Sequence, residues 1–154
     1  MTRIRPLRSA LALLLVFSCT ASGQGGLLFL NVYLDDASSQ KALVVGSVDD
    51  PSGLSFLDSS RKIQEEGGQI YAICDSLVEK SGSGWTLTFP AKGYYDEYHA
   101  AFFISGGSDF TKINATDGLQ FLSTSYNGTL ILDVQGFELN DPSVTFSYKS
   151  FDLA

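Results

Sequence analysis

Histidine, cysteine and basic residues are all scarce in this chain, and each scarcity narrows what it can do. One histidine and two cysteines in 154 residues argue against zinc or copper centres, which gather several imidazole or thiolate ligands. Ten Lys and Arg stand against seventeen Asp and Glu. That acidity argues against nucleic acid, whose phosphates need a basic footprint, and against anionic lipid headgroups meeting the folded surface. The longest apolar run, within residues 9–18, is about half the roughly twenty residues of a spanning helix. No segment keeps a helical period for about twelve residues. Internal repeats and long linkers are also missing, so a single domain is expected.

What is present begins with an export address. Arg3, Arg5 and Arg8 form a basic head, residues 9–18 an apolar run, and small residues follow through Ser22 and Gly23. Signal peptidase reads that order of segments. Residues 1–23 are therefore expected to be a signal peptide and residues 24–154 one exported domain. Ala21-Ser22-Gly23 presents small residues to the peptidase and would leave a mature chain starting at Gln24. Val16-Phe17-Ser18-Cys19 offers a second chemistry, a lipobox-like string in which Cys19 becomes the acylated first residue, although Phe17 is bulkier than that pattern favours. The membrane would then be reached only through lipidated Cys19, whose acyl chains contribute about 0.8 kcal/mol per buried methylene. Either route leaves Cys74 without an intramolecular disulfide partner. Removing the leader leaves seven basic and seventeen acidic residues, a net charge of −10, which suits solubility outside the cytoplasm.

Eleven Phe and seven Tyr supply ample core, so disorder is excluded. Apolar residues recur with a period of two in short runs bounded by Gly, Asp, Ser, Asn and Pro, the pattern of half-buried strands. Strands are expected at residues 27–34, 41–48, 54–57, 69–75 (extending towards 79), 85–89, 97–105, 110–113, 119–123, 129–134 and 143–149. Residues 41–48 are almost wholly apolar, which predicts a central strand. Residues 59–66 form the best helical candidate. Gly67-Gly68, Ser81 to Gly84 and Gly106-Gly107 read as hairpin turns, and Asn127-Gly128 is the strongest turn signal. Seven to nine short strands at roughly twelve-residue spacing predict an all-β fold, an antiparallel β-sandwich of immunoglobulin-like proportions, with a small β-barrel as the alternative.

Few constellations carry chemistry. His99 lies mid-strand near Asp96 and Glu97, and a Ser-His-Asp arrangement would have to use Ser105 and Asp96. No G-x-S-x-G elbow supports it. Neighbouring Asp96 and Glu97 would face opposite ways on a strand and cannot flank one glycosidic bond. No catalytic residue is assigned, and a hydrolase is the lesser alternative. Calcium takes oxygen ligands, and Asp35, Asp36, Asp49 and Asp50 fall at strand ends where two loops could enclose a cation. Turn formation explains the same aspartates. No other cofactor is expected. Asn114-Ala115-Thr116 and Asn127-Gly128-Thr129 are glycosylation sequons in predicted loops, used if the host has the machinery. Tyr94, Tyr95 and Tyr98 form an aromatic cluster suited to recognising sugar or protein. Cys74 alternates with Ile70 and Ala72, which predicts a buried thiol.

The layout of the leader, the opening strand, Gly84-Trp85-Thr86-Leu87-Thr88-Phe89 and Pro142-Ser143-Val144-Thr145-Phe146 loosely resembles extracytoplasmic β-sandwich domains of archaeal and bacterial surface proteins. That resemblance implies a secreted or surface-tethered module. The expected function is non-catalytic binding or structure at the cell surface, with a protein or carbohydrate partner. The alternative is a calcium-stabilised or carbohydrate-binding sandwich.

Overall fold

The computed structural model describes residues 25–34, 40–82 and 84–150. Eleven strands run through them: β1 (Gly26–Leu34), β2 (Ala42–Val48), β3 (Arg61–Glu66), β4 (Gln69–Cys74), β5 (Val78–Ser81), β6 (Gly84–Pro90), β7 (Tyr94–Ser105), β8 (Gly107–Ala115), β9 (Gln120–Tyr126), β10 (Thr129–Asn140) and β11 (Ser143–Ser150). They form an all-β sandwich of two open sheets, ordered β3-β4-β2-β1-β7-β10-β9 and β5-β6-β11-β8. The sheets do not close into a barrel. The layers are unequal, seven strands against four, and the pairing is not purely antiparallel. β1 runs parallel to β7 while its other neighbour, β2, is antiparallel. A parallel pair needs a long crossover, here everything from β2 to β6.

Alternation builds the core. Leu28, Leu30, Val32 and Leu34 of β1 face Leu87, Phe89, Val144 and Phe146 of the smaller sheet within one buried cluster. Phe102 joins the two layers: its ring meets Phe89 at 5.4 Å and Phe146 at 5.0 Å, both edge to face. Such contacts add about 0.5–1.5 kcal/mol beyond the area they bury.

Two expected elements are corrected. Residues 54–57 are not a strand. Leu54 joins two 3-10 turns, Pro51–Gly53 and Ser55–Ser59, and residues 55–57 lie in the second. Pro51 presets the first turn, and Asp50 caps it by accepting from the Ser52 amide and hydroxyl. Leu54, Phe56 and Leu57 are buried there, with Phe56 5.1 Å from Phe89. Residues 59–66 are not helical either. Gly67 and Gly68 both take positive φ, the signature of a two-residue hairpin turn, and clip this segment onto β4 as the edge strand β3. Every β3 residue is exposed, and its charges suit an edge that must not recruit another strand.

The Asn127-Gly128 turn forms as expected, with φ of 49° and 75° between Tyr126 and Thr129. Gly106 does not make a hairpin: β7 and β8 belong to different sheets. Residues 69–79 are divided between the sheets as β4 and β5 for the same reason, a chain that crosses from one layer to the other.

Candidate binding face

The outer surfaces of the two sheets differ in kind. On the four-stranded sheet, the ladder places Glu79, Thr86, Ser147 and Lys112 in one outward row and Thr88, Thr145 and Asn114 in the next. Thr86 and Ser147 hydroxyls lie 2.9 Å apart. This is the solvated face expected of an antiparallel layer.

The seven-stranded sheet breaks that pattern. Its register sets Ile73, Leu43, Tyr33, Phe103 and Ile131 side by side across five consecutive strands. The next outward row holds Tyr71, Val45, Asn31, Ala101, Asp133 and Leu122. A third holds Gln69, Ser47, Phe29, His99 and Gln135. Phe29, Tyr33 and Tyr71 are 36–38% exposed, and Leu122 and Phe137 reach 65%. Tyr33 and Phe103 stack at 4.9 Å with planes only 15° apart, so two flat rings lie together on the surface. β2, expected to be central from its apolar run, is central within its sheet, yet among the described residues no layer lies over its second face (Leu43 and Val45).

His99 sits in this face. Its Nε2 donates to Asp133 Oδ1 at 2.6 Å, and its ring stands edge-on to Phe29 at 6.3 Å. Asp133 comes from the neighbouring strand and was not legible as a partner, because it is distant in sequence and the match depends on register. Ser105 lies six residues further along β7, about 20 Å away at strand rise. Asp96 packs against Gly25 beyond an irregularity in the β1–β7 pairing. The imagined Ser105, His99 and Asp96 triad is therefore not assembled.

The tyrosine cluster is divided. Tyr94 is exposed, but Tyr95 and Tyr98 are core residues, 4% and 0% exposed, with rings meeting at 6.2 Å. In the β1–β7 pairing Asp96 is skipped, and this irregularity breaks the strict alternation of β7 so that Tyr95 and Tyr98 both turn inward. Tyr94 is the most open of the three to solvent, and Tyr98 is closed off. Two separate expectations do converge at one pole: Asp49 and Asp50 line an open cleft with Lys92, Gly93, Tyr94 and Tyr95.

The acids of that cleft have other work. Asp49 Oδ2 accepts from the Leu27 amide at 2.9 Å, and Asp50 is held below its ordinary pKa by the Ser52 hydroxyl and amide. Asp35 and Asp36 lie outside the described residues, as do the leader and Cys19. Among the described residues, no group of three or more His, Cys, Asp or Glu gathers to hold a metal. No helix there is long and apolar enough to cross a membrane.

Asn127 is exposed in its turn, as expected. Asn114 is not in a loop but on β8, exposed on the polar layer. Thr116 of its sequon both donates to the Ser143 carbonyl and accepts from its amide. Cys74 is buried as expected, and burial pushes its thiol from 9.0 up to about 11.

Comparison with family models, curated proteins and solved structures gives no match.

Proposed function

We propose that this chain is an exported, non-catalytic binding or structural module that works through the outer face of its seven-stranded sheet. One observation carries the reading. The chain covers one outer layer with polar residues, whereas on the other five aliphatic and aromatic side chains stand in an unbroken row beside mixed rows. A face of this extent exceeds the scattered apolar side chains of an ordinary surface and marks a site of contact. The aromatic members favour recognition, because they offer rigid area at little entropic cost.

Export rests on the leader, and secretion or tethering through Cys19 is read directly by intact mass of the natural protein. A chain beginning at Gln24 or at an acylated Cys19 is expected, and a retained leader overturns export. Hydroxyl-radical footprinting tests the face itself. Phe29, Tyr33, Tyr71 and Phe103 should oxidise more slowly in the native setting than in dilute purified protein. Equal rates in both settings remove the binding face.

A further inference from the structure

We infer that the occupant of this face is a second copy of the chain, so that two seven-stranded sheets stack against each other with the four-stranded sheets outermost. The inference rests on the binding-face reading above and names its partner.

Extent is the first argument. The five strands from β4 to β10, at about 4.8 Å spacing and contacting over about seven residues at roughly 3.3 Å each, present about 24 Å by 23 Å. Stacking two such faces removes about 1,100 Å² in total, above the roughly 1,000 Å² that a specific interface needs. Sheets of natural twist stack face to face at about 30°, which this layer already does with its smaller neighbour.

Charge is the second argument. The chain carries a formal net charge of −7, so two copies repel over most approaches. Across the three central outward rows, from β4 to β10, only Asp133 and His99 are charged or imidazole groups, while Asp96, Glu97 and the exposed Glu138 stand at one end of β7 and β10. Asp133 is already joined to His99. Over those central rows a second acidic copy meets little repulsion.

Symmetry is the third. β1 is the fourth of seven strands, so a twofold axis along it lays the apolar row on itself. Leu43 then faces the partner's Phe103 and Ile73 faces the partner's Ile131. The same operation sets the Tyr71 phenol over the partner's Asp133. An isologous contact of this kind closes at two copies.

The test uses the purified mature chain, beginning at Gln24, in sedimentation equilibrium. A dimer is expected. Tyr33→Lys and Ile131→Lys should each weaken it by at least roughly tenfold while keeping a β-sheet circular dichroism spectrum and a cooperative melt. Lys112→Glu, on the opposite polar layer, should leave it intact. Added salt should strengthen the dimer, because it screens repulsion between acidic copies. A wild-type monomer overturns the inference, and so does a dimer that both lysine variants preserve. If the purified chain is monomeric while footprinting still shows protection in the native setting, the second copy is wrong and the binding face stands. If protection is also missing, both fail.

Discussion

His99 and Asp133 lie diagonally across the β7–β10 ladder, Nε2 to Oδ1 at 2.6 Å, in the middle of the outer face of the seven-stranded sheet. Their side chains are 41% and 47% exposed. The pair is the polar centre of the face.

A hydrogen-bonded pair this exposed contributes little to folding, because solvent competes for it and ordering two side chains costs entropy. Asp133→Asn should therefore change the unfolding free energy by less than about 1 kcal/mol, measured by urea denaturation. A loss of several kcal/mol would mean that the pair is buried in solution, as a dimer through this face requires at high protein concentration. Comparing dilute and concentrated samples separates the two.

Tyr98 is fully buried, and its hydroxyl has no hydrogen-bond partner among the described residues. Burial pushes its phenol well above the ordinary tyrosine range. An unsatisfied buried hydroxyl costs about 1–3 kcal/mol. Tyr98→Phe keeps the ring and its contact with Tyr95, so it should stabilise the fold by about 1 kcal/mol. A destabilised variant in the same denaturation assay would show that the hydroxyl is bonded.

Cys74 and Tyr148 set the alkaline limit. Burial raises the Cys74 thiol to about 11 and the Tyr148 phenol to about 12. Both stay neutral in the fold where the unfolded chain would already ionise, so the unfolded state holds fewer protons and stability falls as pH rises. The thiol contribution is complete below about pH 9 and is lost towards pH 11. Melting midpoints between those values should drop in the wild type and drop less in Cys74→Ala. At neutral pH the thiol should react with a disulfide reagent only after unfolding.

Gly46 stands mid-strand in β2 at φ 148°, and a Cβ there would collide with the Phe29 carbonyl oxygen. The backbone of the neighbouring strand cannot yield as a flexible side chain could. Gly46→Ala should cost at least about 2 kcal/mol, readable as a lowered urea midpoint. A neutral variant would mean that β1 and β2 sit further apart than described.

Asp49 and Asp50 already serve the Leu27 amide and the Ser52 turn. A chelator should leave the melting midpoint unchanged, and added calcium should not raise it. A rise of several degrees with calcium would restore the cation reading, since a ligand that binds only the folded state must stabilise it.

Two-residue periodicity was enough to place β1, β2, β4, β6, β7, β10 and β11, because each is half-buried and cannot slip by one residue without exposing its apolar side. The same alternation announced Cys74 as buried. Local chemistry placed the Asn127 turn, since φ above zero at both positions needs Asn and Gly. It failed at residues 54–57, where Leu54, Phe56 and Leu57 fill one pole and the capped Pro51 turn overrides the alternation. It failed again at residues 59–66, where the Gly67-Gly68 turn overrides helical propensity. The tyrosine cluster was misjudged because the irregular β1–β7 pairing at Asp96 breaks the alternation and turns Tyr95 and Tyr98 inward.

Alternation alone determined that two apolar-faced layers must meet, since period-two burial leaves each strand one face that water disfavours. Which strands neighbour each other was decided only in three dimensions. The parallel β1–β7 pair, the seven-to-four division and the His99–Asp133 contact all depend on long-range register, which no local pattern encodes. The apolar outer row is likewise a property of the sheet: its five residues come from five strands and become one surface only when the ladder aligns them.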